Sequence, residues 1–229
     1  MGMEGINWEG VNAEAKAIFE IVRNAEDDLY KKIDNFGDEL SLYWASGNAV
    51  EFSRKFFDAY KQTVQFMENK VDLLESYISR AAQIYSTTFN VGNGFKFNGQ
   101  DWLPNVWSDI TKGATVLGDN IAGGFGNFQT SINGVTGINK IAAQNCLDTF
   151  KGTLSTYLSG LGSSLTNRDI ALFDTQQAQK EAYNVCVEDL KKGINDNLSS
   201  VLELVTNAIN TEVNNALLAK QQTVSTFSA

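Results

Sequence analysis

Two long runs of regularly spaced apolar residues dominate the first ninety positions of the chain. In the first run, apolar residues recur mostly at steps of three and four between Val11 and Leu40. The second run steps by four and three without a break: Tyr60, Val64, Met67, Val71, Leu74, Ile78, Ala81 and Tyr85. Such steps place apolar side chains on one face of an α-helix. The pattern predicts two long amphipathic helices, with a kink or an end of the first one at Gly37.

A short stretch with the chemistry of a turn separates the two runs. Ser46, Gly47 and Asn48 disfavour helix interiors and favour caps and turns. Asn48 followed three positions later by Glu51 fits a helix N-cap with its acidic partner. We therefore expect the chain to fold back here as an antiparallel helical hairpin, with Trp44 buried at its tip.

The same stretch resembles the turn of a known family. Four residues follow the W-x-G-x-x-A-x-x-F spacing of the WXG100 family: Trp44, Ser46, Ala49 and Phe52. Members of that family are small helical hairpins exported by type VII secretion systems. Serine stands where the family has glycine, and Gly47 follows one residue later. The resemblance covers roughly residues 8–88 and implies that the turn, including Gly47, recognises a partner by helix–helix association.

The character of the chain changes after the hairpin. Between residues 89 and 97, Phe and Val residues alternate around the turn signal Gly92-Asn93-Gly94, which is typical of a small β-hairpin. An ordered loop is the alternative for this connector, which we place at residues 89–104. Pro104 suits the first position of a following helix.

Residues 105–165 are rich in Gly, Asn, Ser and Thr, yet helical periodicity persists there. Small residues occupy every fourth position of one stripe: Ala114, Gly118, Ala122, Gly126, Thr130 and Gly134. Glycine costs about 1 kcal/mol relative to alanine inside a helix, so the stripe needs a reason. One possible reason is that another helix, from the same chain or a neighbouring subunit, approaches the stripe closely. The other is chance in a segment rich in small residues.

From Thr166 onward, an ordinary helical pattern continues almost to the end. Thr166 and Asp169 resemble a capping pair, and Gly193 is a candidate break between two helices. The sequence thus predicts an all-α fold with at least four long helices. Its parts are a hairpin over residues 1–88, the connector over 89–104, and a Gly-rich helical segment with C-terminal helices over 105–229 that packs on the hairpin.

Composition narrows the classes of function. A net charge of −9 opposes binding to nucleic acid or anionic lipid. The chain has no histidine and so lacks the commonest general base and metal ligand. Cys146 and Cys186 fit no metal spacing and suit either a disulfide or two buried thiols. Acidic pairs such as Glu26-Asp27 fit solvated helix faces. We therefore expect a non-enzymatic protein without cofactor or metal.

Signals for location are few. Residues 1–8 lack the basic and apolar regions of a standard secretory signal, and no run of about 20 apolar residues suits a membrane span. Tyr30 and Asp34 match the Y-x-x-x-D form of the type VII export signal, but they lie inside the first predicted helix. The expected location is outside the cell or on its surface by a non-standard route, or otherwise the cytoplasm.

Three interpretations of function remain open. The first is a WXG100-like protein that associates with a helical partner, which can be a second copy of the chain. The second is a self-assembling filament or other structural subunit, which in outline resembles flagellin-like proteins. The third is a membrane-active protein similar to α-helical pore-forming toxins. Polar residues such as Asp119 and Asn120 oppose deep insertion of residues 113–137 into a membrane.

Overall fold

The structure, a computed structural model, describes residues 8–88, 131–168 and 176–227. Its helices are α1 (Trp8–Ser41), α2 (Gly47–Thr88), α3 (Lys140–Thr166) and α4 (Gln177–Phe227). Two short strands, β1 (Trp44–Ala45) and β2 (Gly137–Ile138), pair antiparallel. The prediction of an all-α fold with a minor β component is confirmed. The β-hairpin predicted at 89–97 lies outside the described residues.

Contacts between helices establish their directions. The Tyr157 hydroxyl of α3 donates a hydrogen bond to the Ala25 carbonyl of α1 at 2.9 Å. Arg168, just after α3, pairs with Glu14 near the start of α1 at 2.6 Å. Higher residue numbers in α3 thus meet lower numbers in α1, so the two helices run antiparallel. Because α1 and α2 are joined by a short turn, α2 and α3 run in the same direction.

Helix α4 pairs antiparallel with α2 along most of its length. Asn48 at the start of α2 donates a hydrogen bond to Glu212 at 2.6 Å. At the other end of the bundle, Gln176 donates one to the Ala81 carbonyl at 3.1 Å. The packing order around the bundle is therefore α1, α2, α4 and α3. Residues 89–130 link opposite ends of it, which is the topology of a four-helix bundle with one long crossover.

One hydrophobic core receives side chains from all four helices. An aromatic cluster joins three of them near the α1–α2 turn. The ring of Phe36 stacks on Phe150 with centroids 4.3 Å apart, and Phe56 lies 5.6 Å from Phe36. Aromatic pairs at such distances contribute about 0.5–1.5 kcal/mol beyond their buried area. The α1–α2 hairpin is therefore stabilised by α3 as well as by its own contacts.

Three predicted helix boundaries are wrong. Helix α1 continues through Gly37 to Ser41, so it does not end at Gly37, while the alternative of a kink there stays a prediction. Helix α4 continues through Gly193. Gly193 lies under the ring of Phe66, where a methyl group would be 2.1 Å from the ring's Cζ. A packing requirement thus explains this glycine inside a helix. Thr166 does not cap a new helix but ends α3.

The N-cap of α3 is Asn139, whose side chain accepts a hydrogen bond from the Ala142 amide at 3.2 Å. Asparagine is among the residues that cap helices best. In the described ranges, no helix combines the length and apolar character that crossing a membrane requires.

Candidate interaction surfaces

The Trp44 turn is a buried structural corner. Trp44 has no exposed surface, and its ring stacks on Phe52 with centroids 5.8 Å apart. Ala49, another residue of the motif, is also fully buried. The backbone beside Trp44 pairs with β2, and the Asn139 amide donates to the Tyr43 carbonyl at 2.8 Å. The predicted burial of Trp44 against Phe52 is confirmed, and recognition of a partner by this turn stays a prediction.

The cap of α2 lies two residues earlier than predicted, at Ser46 instead of Asn48. Ser46 is buried, and its hydroxyl accepts a hydrogen bond from the Ala49 amide at 3.2 Å. This is the bond that an N-cap serine makes with the third helical residue. Gly47 is the first residue of α2, and Asn48, expected to be the cap, instead bonds to Glu212. Ser46 is thus the N-cap of α2.

Gly134 lies in a tight turn, so its place in a helical small-residue stripe is wrong. Ile132 and Val135 exchange backbone hydrogen bonds of 2.8 and 2.9 Å around it. Asn133 and Gly134 have φ angles of 51° and 77°. Two central residues with positive φ form the hairpin turn that the dipeptide Asn-Gly favours. Asn133-Gly134 was therefore the sequence signal for a turn that the helical interpretation overlooked.

The other members of the predicted stripe lie outside the described residues: Ala114, Gly118, Ala122, Gly126 and Thr130. Their packing against another helix stays a prediction.

The last fifteen residues of α4 follow Glu212, whose side chain accepts the hydrogen bond from Asn48. We call this segment, residues 213–227, the α4 tip. At 1.5 Å per residue it is about 22 Å long. All residues from 214 to 224 are exposed, and Leu217 and Leu218 each expose 55% of their surface. Lys220 is the only charged residue of the tip, so the tip differs sharply from the acidic chain.

A second surface feature is an open groove of about 880 Å³ between α1 and α3. Helix α3 lines it mainly with small residues: Thr149, Gly152, Thr153, Thr156, Gly160 and Ser164. A methyl group built at Gly152 or Gly160 meets nothing within 4 Å. The only charged residues lining the groove, Asp28 and Lys32, pair with each other at 3.1 Å.

A few polar side chains are buried in the bundle, among them Glu26, Tyr60 and Tyr157. Glu26 of α1 is 6% exposed and lies near the hydroxyls of Tyr60 and Tyr157. Burial raises the pKa of both tyrosines, and the charge of Glu26 raises each pKa further. The hydroxyl groups of both tyrosines therefore stay protonated at neutral pH and do not act as nucleophiles there.

The cysteines are two separate, free thiols. Cys146 and Cys186 are buried in α3 and α4. Burial raises the pKa of Cys146 to about 12 and also raises the pKa of Cys186. Raised thiol pKa values mark structural rather than reactive cysteines. Across residues 8–88, 131–168 and 176–227, no three side chains of the metal-ligating types come together as a metal site would require.

The described ranges form a bundle of four helices, and comparison with known proteins finds no relative. The chain matches no protein-family model, no curated protein sequence and no solved structure.

Proposed function

We propose that this protein is non-enzymatic and acts by helix–helix association, with the α4 tip as its association surface. One observation carries the proposal. Two leucines of the tip, Leu217 and Leu218, are each more than half exposed. Exposed apolar side chains that adjoin one another are costly in water and are typical of an interaction site.

The local sequence strengthens this argument. Asn214, Asn215 and Thr223 are weak helix formers, and an isolated helix of about 15 residues is marginal in water even for good formers. The tip therefore gains much of its helical stability from whatever packs on its apolar side. The acidic bundle provides charge for solubility. Lys220 is the only charged side chain of the tip whose hydration a partner would disturb.

Site-specific photo-crosslinking in cells that express the chain tests the proposal. A photoreactive residue replaces Leu217 in the tip, and a matched one replaces Val185, an exposed apolar residue near the other end of α4. We expect intermolecular crosslinks to a helical protein, which can be the chain itself, from position 217 and not from position 185. Crosslinks from 217 that stay within one chain, or equal yields at both positions, would overturn the proposal.

The resemblance at the Trp44 turn extends the proposal to export by a type VII secretion system. The buried Ser46 cap and the Trp44–Phe52 stack make the turn a compact end of the bundle. The test compares the tagged chain in culture medium from bacteria with an active and a disabled type VII system. Equal amounts in both media would exclude this route and leave helix–helix association untouched.

A further inference from the structure

The tight turn at Asn133 and Gly134 places two mutually reactive groups next to each other in water. Both residues are exposed, and a methyl group built at Gly134 meets nothing within 4 Å. The two hydrogen bonds of the turn run between Ile132 and Val135, so they use neither the Asn133 side chain nor the Gly134 N–H. The side-chain amide and the neighbouring backbone nitrogen therefore take no part in closing the turn.

From this arrangement we propose that Asn133 is a site of spontaneous deamidation, with Gly134 as the attacking residue. The backbone nitrogen of Gly134 forms a bond to Cγ of Asn133, and the C–N bond of the side-chain amide breaks. Hydroxide takes the proton of Gly134, and water returns one to the leaving nitrogen, which departs as ammonia. Water then opens the resulting cyclic imide at either carbonyl, which gives aspartate or isoaspartate at position 133. Water is the only co-reactant of this sequence of steps.

The local structure permits the rearrangement that the reaction requires. Glycine has no Cβ, so no side chain shields its nitrogen. The peptide between Asn133 and Gly134 must rotate out of the turn to bring this nitrogen to Cγ. Such opening costs little because a single isolated bridge, between Ile132 and Val135, closes the turn, and short isolated pairs are marginal in water. Val135 is 67% exposed, so little packing opposes the opening.

Asn139 provides a contrast further along the same segment. It is also exposed, but its side chain accepts the hydrogen bond from the Ala142 amide at 3.2 Å. The next residue, Lys140, carries a side chain and begins α3. Attack at Asn139 would therefore require the cap to break and the first turn of the helix to open. Exposure alone does not make an asparagine reactive in this structure.

Conversion at position 133 should loosen the corner of the bundle at Trp44. Isoaspartate leads the main chain through its side chain and adds one carbon to the backbone, so the bridge between Ile132 and Val135 loses its geometry. Both products also add a negative charge beside the exposed Val135. The residues that follow form β2, which pairs with β1 at Trp44. The converted chain should therefore unfold at a lower urea concentration.

The first test incubates the full, folded chain in mildly alkaline buffer and follows its tryptic peptides by mass spectrometry. Trypsin separates Asn133 from the other Asn-Gly pairs, at 93–94 and 98–99, which lie outside the described residues. We expect the mass gain of an amide-to-acid conversion at Asn133, with isoaspartate among the products. Conversion at Asn139 should be at least about tenfold slower, because the cap holds its side chain.

A sample unfolded in urea gives the rate of the same reaction without the turn. A folded chain that shows no conversion at Asn133 after the unfolded chain has reacted would overturn the proposal, because the turn would then protect the site. Equal yields at Asn133 and Asn139 would overturn it as well, since they would remove any role of the local structure.

Two variants separate the chemistry from its consequence. Gly134→Ala should slow conversion about tenfold, because the added methyl group hinders the attacking nitrogen; an unchanged rate would exclude Gly134 as the attacking residue. Asn133→Gly has no side-chain amide, and Gly-Gly also suits a hairpin turn with positive φ. After the same incubation, the original chain should unfold at lower urea and this variant should not. Equal shifts in both chains would overturn the coupling between the turn and the corner at Trp44.

Discussion

Gly193→Ala tests the packing of α4 against α2, on which the topology depends. A methyl group at Gly193 would lie 2.1 Å from Cζ and 2.3 Å from Cε1 of Phe66. Overpacking of this kind typically costs about 1–3 kcal/mol, whereas alanine gains up to about 1 kcal/mol over glycine in helix propensity. Phe66 is half-buried, so its ring can yield in part. We expect a net loss of about 1 kcal/mol, measured by urea unfolding.

Two further variants show whether the ring of Phe66 decides the sign of the change in unfolding free energy caused by Gly193→Ala. Gly152→Ala in α3 meets nothing within 4 Å and should stabilise the bundle by about 0.5–1 kcal/mol. Gly193→Ala should become similarly stabilising when Phe66 is already alanine, because the clashing ring is gone. The coupling between positions 66 and 193 is then about 2 kcal/mol. If Gly193→Ala stabilised the chain as much as Gly152→Ala does, α2 and α4 would not pack in this register.

Three further predictions concern the bundle itself. Trp44→Ala should cost about 3–5 kcal/mol in thermal unfolding because it empties a fully buried site; an unchanged midpoint would contradict its place in the core. Asn139→Ala should cost about 1 kcal/mol by removing the N-cap of α3, while Asn139→Asp stays close to the original; equal losses would exclude the cap. Stability should fall as pH rises above about 9, because Cys146, with its pKa raised to about 12, ionises first in the unfolded chain. Urea midpoints that stay flat between pH 8 and 11 would show that the thiol is not buried.

Periodicity predicts α1, α2 and most of α4 because each has one apolar face against a core and a polar face in water. For α1 and α2, the predicted seam residues from Ile18 to Ala81 are buried. Helix α3 is harder to delimit, since its outer face carries Gly152, Gly160 and several threonines. Its composition resembles that of the preceding segment, although Leu147, Phe150 and Leu154 form an ordinary buried seam.

Topology and exact capping depend on interactions that local patterns do not contain. A periodic seam shows which face of a helix is buried but not which helix covers it, so the pairing of α2 with α4 was not predictable. Gly193 illustrates the same limit, because a glycine that weakens an isolated helix is required once Phe66 packs over it. At the turn, Ser46 and Asn48 are both good caps by type. The antiparallel approach of Glu212 gives Asn48 a different bond and leaves the cap to Ser46.

The α4 tip could not be located from the sequence for a related reason. Ile209 is fully buried in the bundle, and Val213 and Leu217 follow it at steps of four. The spacing of apolar residues is the same in the buried and in the exposed part of α4. The sequence alone therefore does not show where the buried part of this stripe ends. The structure shows the change after Glu212, which bonds to Asn48 of α2, because all residues from 214 to 224 are exposed. Substitutions on the stripe before this point should therefore reduce the stability of the bundle, whereas substitutions beyond it should reduce association and leave the bundle intact. One continuous apolar stripe thus serves folding in its first part and, as we propose, association in its last.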